Sequence, residues 1–208
     1  MLYNQNLGVM QKTQIALFPL QIFLLPGESA QLHIFEDRYK QLLEDCEKPG
    51  EVFGIPYTLN GYLAGVGCAA EVTKILKRYP NGAADIEVTS RDMFRVEHFY
   101  MRMGEKLYPG GDVTFLHTES SEPVSAALMK ALDTHIKNAA PEKFESLTDP
   151  HLNVFDAAVL IGMNEEYKVK LVKAKTRERR ERILIEQIRF AEALRKQENA
   201  VQGEIFLN

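Results

Sequence analysis

Two long β-rich stretches, residues 63–78 and 85–96, flank Pro80-Asn81-Gly82, and no other feature of the chain limits the fold as much. Asn-Gly supplies the positive φ angles that a tight hairpin turn needs, so the two stretches are expected to pair antiparallel. In the returning strand Ile86, Val88, Met93, Phe94 and Val96 keep a rough alternation. The alternation slips across residues 90–92, where an irregularity is expected. A lone hairpin is marginal in water, so further strands must cover this one.

The flanking sequence offers them. Residues 15–25 are almost continuously apolar, interrupted by Pro19 and ended by Pro26-Gly27, which predicts a buried strand entering a turn. Residues 30–35 and 52–57 read as two more strands. Between them Tyr39, Leu42, Leu43 and Cys46 fall at i, i+3, i+4 and i+7, one face of a helix over residues 36–47 that Pro49-Gly50 stops. Gly61, Gly65 and Gly67 precede no helix start and no Lys-Ser/Thr, so they belong to a turn and a tightly packed strand, not to a phosphate loop. Residues 112–117 make the last strand.

The pattern then switches. Ser120, Ser121, Glu122 and Pro123 are helix-start chemistry, and Val124, Ala127, Leu128, Ala131, Leu132 and Ile136 follow as an apolar stripe. Asp149-Pro150 and Asn153 open a shorter helix to Ile161, with Gly162 as its stop. Asn164 caps another, with Glu165 and Glu166 suited to its positive end, and Thr176 caps a long last helix to about Glu198. Strands followed by helices place the chain in the α+β class.

Composition excludes several function classes. With 45% hydrophobic and 26% charged residues among 208, wholesale disorder and fibrous repeats are ruled out. No apolar run approaches the roughly 18 residues of a membrane span, and residues 1–13 carry no secretory pattern. Cys46 and Cys68 are expected to be buried or half-buried free thiols in a reducing cytoplasm. The net charge of −4 is uneven: residues 165–198 hold 11 basic against 7 acidic residues, leaving 14 against 22 elsewhere. An acidic body argues against a general nucleic-acid binder. In the basic run from Lys168 to Arg182, Glu178 and Glu181 interleave at helical spacing, the pattern of a solvated, ion-paired face.

No Walker loop, G-x-S-x-G elbow or H-E-x-x-H helix is present, and the five histidines stand singly. His33, between apolar neighbours, is expected in a hydrogen-bonded structural role. No catalytic residue, cofactor or metal site is therefore expected. The chemistry on offer is apolar recognition. Phe18 and Phe23 around Pro19, and Phe53 and Tyr57 on the later strand, must partly fill the core. Any left on a groove would take an extended apolar peptide. Glu36 and Arg38 read first as a structural helix-entry device, with Arg38 reaching back across the strand ends, and otherwise as the polar edge of that groove.

The run F-P-L-Q-I-F-L-L-P-G-E at residues 18–28, followed by L-H-I-F-E-D-R-Y-K-Q-L-L-E-D-C at 32–46, resembles the N-terminal, substrate-binding domain of Lon proteases, and especially the short bacterial proteins made of that domain alone. The similarity continues through Phe53-Gly54-Ile55, Pro80-Asn81-Gly82, Phe94-Arg95-Val96 and Tyr108-Pro109, over about residues 14–195. It implies a PUA-like β-barrel at residues 14–118 and a C-terminal α-helical bundle at 119–208, preceded by a tail at 1–13. In full-length Lon this region selects and tethers substrates and helps the subunits associate. The ATPase and Ser-Lys protease domains have no counterpart in this sequence, nor has the four-cysteine zinc domain of the related cereblon. Asp37 stands where the single-domain proteins usually have Pro, and it suits a helix N-terminus electrostatically. The resemblance thus implies a non-enzymatic cytoplasmic module. Its expected partners are unfolded or apolar protein segments and a separate AAA+ protease, with weak self-association open to it. The residues expected at its peptide surface are Phe18, Phe23, Glu36, Arg38, Phe53 and Tyr57. An RNA-associated PUA-like protein is the alternative, on fold analogy alone.

Overall fold

The computed structural model describes residues 12–116 and 122–205. Six strands, β1 (Lys12–Ala16), β2 (Ser29–Ile34), β3 (Val52–Leu59), β4 (Tyr62–Arg78), β5 (Ala84–Tyr100) and β6 (Gly110–Phe115), form one antiparallel sheet. Its order is β1-β6-β5-β4-β3, and β2 pairs with the first part of β5. The helix α1 (Asp37–Cys46) follows β2, and Tyr39, Leu42, Leu43 and Cys46 are its buried residues, as their spacing predicts.

The long hairpin is β4 and β5, but its turn differs from the expected form. Tyr79 N–H bonds the Ala83 carbonyl, and only Gly82 takes positive φ, while the Asn81 side chain accepts from Ala83 N–H at 3.1 Å. The two-residue turn lies elsewhere, at Asn60-Gly61, where φ is 51° and 81° and Leu59 faces Tyr62. Both angles positive is what such a turn requires. The expected irregularity is a bulge: Ala69 faces Asp92 and Ala70 faces Ser90, so Arg91 is the extra residue.

The strand expected over residues 15–25 stops at Ala16. Beyond it Leu17 N–H bonds the Pro109 carbonyl while Phe18 N–H bonds that of Gly54, and Pro19 has no N–H to give. A segment that divides its bonds between two neighbours cannot sustain one ladder. Its contact with β3 is two isolated parallel bridges, Leu17 to Gly54 and Leu20 to Tyr57. The sheet is accordingly not closed: the α+β class holds, but the continuous ladder stays open between β1 and β3.

Glycine lets the layers approach. A Cβ on Gly67 would sit 2.5 Å from Phe94 Cζ and 2.6 Å from the Ile55 carbonyl oxygen, and one on Gly54 2.5 Å from Leu17 Cδ2. Phe94 packs there with Ile15, Leu17, Ala69 and Val113. A larger cluster joins Phe18, Phe53 and Ile86 to the buried face of α1.

The later residues form α2 (Ala126–Ala139), a 3-10 segment (Pro141–Thr148), α3 (Val154–Leu160), α4 (Glu165–Lys173) and α5 (Arg177–Ile205). Ser120 and Ser121 lie outside the described residues, and the cap of α2 is Ser125, which accepts from Leu128 N–H. Asn153 makes a full capping box with Asp156, Gly162 takes φ 64°, and Asn164 caps α4. Thr176 Oγ accepts from Arg179 N–H at the start of α5, which runs past Glu198 to Ile205. The chain divides into two compact units, residues 1–117 and 118–208. Among the described residues no helix is long and apolar enough to cross a membrane.

One correction concerns the basic run. Lys168, Arg180 and Glu181 are buried, so it is not simply a solvated face. Arg180 lies 5.4 Å from the Phe155 ring centroid. Glu181 accepts from Ser125 N–H at 2.8 Å and from its hydroxyl, and Arg177 Nε donates to it at 3.1 Å. Burial raises the Glu181 pKa, but these bonds outweigh it and hold the carboxyl below its usual range.

Candidate functional site

The six residues expected at a peptide surface fall into two groups. Glu36, just before α1, accepts from Arg38 Nε at 2.9 Å and Nη2 at 2.8 Å. The Arg38 guanidinium sits 4.6 Å over the Tyr39 ring. Tyr39 contacts Phe18 at 3.9 Å between centroids, and Phe18 reaches Phe53 at 6.4 Å. Glu36, Arg38, Phe18 and Phe53 are thus linked through Tyr39, from the surface inward. Phe23 and Tyr57 form a separate edge-on pair at 6.3 Å.

Burial sorts them further. Phe18, Phe23, Phe53 and Tyr57 are all buried, so in this conformation they are core and present no ring to a partner. The Arg38 and Glu36 side chains are 43% and 41% exposed. An ion pair so exposed contributes little to stability, about 0–1 kcal/mol, and stays open to exchange with a ligand. Arg38 turns to Glu36 and Tyr39 and not back across the strand ends. Burial is the main reason the Tyr39 hydroxyl titrates above its ordinary 10.0, with Arg38 opposing.

Phe35 escapes the expectations, and its ring is 61% exposed. It stacks on His33 at 5.7 Å, and His33 meets Tyr79 edge-on at 5.8 Å. Asp85 ties the row together, bonded to His33 Nδ1 at 2.6 Å and accepting from Tyr79 Oη at 2.7 Å. The His33 bond, then the Tyr79 bond, hold the Asp85 carboxyl below its usual range. Lys77 Nζ covers Tyr79 at 4.5 Å from its centroid. His33 is hydrogen-bonded as expected, but on the surface. Alternation along β2 held the missing clue: with Ile34 inward, His33 and Phe35 must point outward, leaving an apolar ring on a polar face.

Two further features surround apolar exposure. β2 pairs with β5 alone among the described strands, so its other edge is unpaired. Residues 52–70 contain no charged side chain, and their hairpin tip exposes Leu59, Leu63 and Tyr62, the last at 77%. The thiols offer no reactive counterpart. Burial pushes both Cys46 and Cys68 up to about 11, leaving them protonated at neutral pH. Among the described residues no three His, Cys, Asp or Glu side chains converge as metal ligands.

The family described as the ATP-dependent protease La (LON) substrate-binding domain matches residues 14–193. The chain belongs to this Lon family. The match is to the substrate-binding part of Lon, not its catalytic part. A Lon N-terminal domain protein from Xanthomonas campestris is similar in structure, with a TM-score of 0.60 and 23% identity over 81% of this chain and 94% of that one. The N-terminal domain of Mycobacterium avium complex Lon protease aligns with a TM-score of 0.60 and 14% identity, over 85% of this chain and 98% of the other. At these identities the likeness is one of fold. No curated protein matches the chain.

Proposed function

We propose that this Lon-family chain is a non-enzymatic binding module of the cytoplasm that recognises unfolded or apolar protein segments and works beside a separate AAA+ protease. The observation that carries the reading is the exposed Phe35 ring, set beside the half-exposed Glu36–Arg38 pair, in a chain whose family is the substrate-binding part of Lon. An extended segment adds along the unpaired edge of β2, and an apolar side chain rests against Phe35. Arg38 and Glu36 then serve as the polar rim. The buried Phe18, Tyr39 and Phe53 act as a rigid floor. Ordering a flexible segment costs free energy, so affinity is weak, in the range of tens to hundreds of micromolar.

The test is a titration of a fluorescein-labelled, reduced and carboxymethylated polypeptide, read by anisotropy. Saturable binding is expected, weakened about fivefold by Phe35→Ala, which removes an anchor worth roughly 1 kcal/mol. No binding at several hundred micromolar, or equal binding by the variant, overturns the reading. Binding of RNA instead, with steep salt dependence, would replace it with the nucleic-acid reading.

A further inference from the structure

The helical unit carries a groove of about 440 Å³ between α2 and the 3-10 segment. Ala126, Met129, Lys130 and Asp133 line it at i, i+3, i+4 and i+7, one face of α2. Phe144 and Leu147 form the opposite wall. That wall buries none of its residues fully, and Phe144 remains 39% exposed. The groove is shallow and open to solvent, with a mostly apolar lining.

The two charges at this groove are not equivalent. Asp133 is neutralised by Lys137, which donates to it at 2.9 Å and also lies 5.1 Å from the Phe144 centroid. Lys130 makes no ion pair among the described residues, and it is exposed. Glu142 and Glu145, on the 3-10 segment, do not line the groove. An apolar trough with one uncompensated ammonium at its rim complements an apolar body attached directly to a carboxylate.

From this we infer a second docking site, which takes the carboxyl-terminal residue of a partner polypeptide when that residue is apolar. Its side chain lies against Met129, Phe144 and Leu147, and its α-carboxylate pairs with Lys130. Side chain and carboxylate share one Cα, which suits the short step from Met129 to Lys130 along α2. The inference rests on the reading that the chain binds polypeptides, but it uses none of the residues around Phe35.

The experiment compares two N-terminally labelled peptides of identical sequence ending in Leu, one with a free carboxylate and one amidated, titrated against the full chain. The free acid is expected to bind about threefold more tightly, as an exposed ion pair allows. Raising the salt to 0.5 M should shrink that preference. Lys130→Gln should abolish it while leaving the melting temperature and the binding of an unfolded, internally labelled polypeptide unchanged. Leu147→Asp should weaken both peptides. Equal affinity for acid and amide, no binding of either at millimolar concentration, or a preference that survives Lys130→Gln overturns the inference. Normal binding of the unfolded polypeptide beside such a failure would leave the Phe35 reading standing, so the two fail separately.

Discussion

In the sheet unit the closest contacts join residues far apart in the chain: Gly54 and Gly67 admit Phe94, and Phe18 closes on Tyr39 and Phe53. In the helical unit much of the order is local. Asn153 is satisfied by Phe155 and Asp156, Asn164 by Tyr167, and Thr176 by Arg179. The long-range tie that stands out there is polar, from Glu181 to the N–H and hydroxyl of Ser125. Both units bury apolar side chains, but the sheet interior fits rings against bare glycine backbone, whereas the helical unit buries Leu128, Leu132, Ile136 and Leu171 beside helix starts whose polar groups are satisfied locally. The same contrast governs exposed apolar surface. The sheet unit shows the Phe35 ring and the hairpin tip of Leu59, Tyr62 and Leu63, whereas the helical unit shows a trough.

The sharpest way to break this comparison is Phe94→Ala. The ring is fully buried, and its loss should cost about 4 kcal/mol through burial and cavity terms. Urea unfolding measures the cost, and hydrogen exchange should locate faster opening in β4, β5 and β6. Faster exchange spread equally over both units would contradict a shape-dependent sheet core. Next comes Glu181→Ala, which leaves Ser125 N–H and Arg177 Nε without their acceptor and should cost about 2 kcal/mol. Its exchange signature belongs at the starts of α2 and α5. A loss under 0.5 kcal/mol would reduce the network to a surface ornament.

Asn153→Ala removes one cap from α3 and should cost about 1 kcal/mol, with Asn153→Gly milder. The smallest effect is one of pH. Burial holds the His135 imidazole below its usual 6.5, with Glu192 opposing and Arg195 reinforcing the shift. A depressed histidine favours the fold when neutral, so its contribution is full above pH 6.5 and is lost as the pH falls below that value. In the sheet unit Asp45, Glu71 and Asp85 are held below their ordinary 3.8 or 4.5, so their contribution persists until the pH drops through that lower range. Between pH 7 and 5 exchange protection should thus weaken around His135 in α2. His135→Leu should flatten that slope, and an unchanged slope in the variant would refute it.

Much of the site was hidden for the same reason that parts of the fold were. Glu36 and Arg38 sit at a helix start that spacing reveals, and their exposure follows from charge. Phe18, Phe23, Phe53 and Tyr57 are apolar, and apolarity by itself does not say which ring faces the core. Phe35 was readable only by applying strand alternation through Ile34. The Met129–Phe144 trough was not readable, because which face of α2 the 3-10 segment lies against is decided by tertiary packing.

Local chemistry settled what the sequence alone could determine: the face of α1, the caps at Asn153 and Asn164, the pairing of β4 with β5, and the bulge at Arg91. These depend on residues near one another in the chain or on simple alternation. Tertiary structure decided the rest. It divided the bonds of Leu17 and Phe18 between Pro109 and Gly54 and so kept the sheet open. It drew Lys168 and Arg180 out of solvent. Each of those outcomes turns on which distant group takes a hydrogen bond or covers a side chain, and propensity carries no information about distant partners.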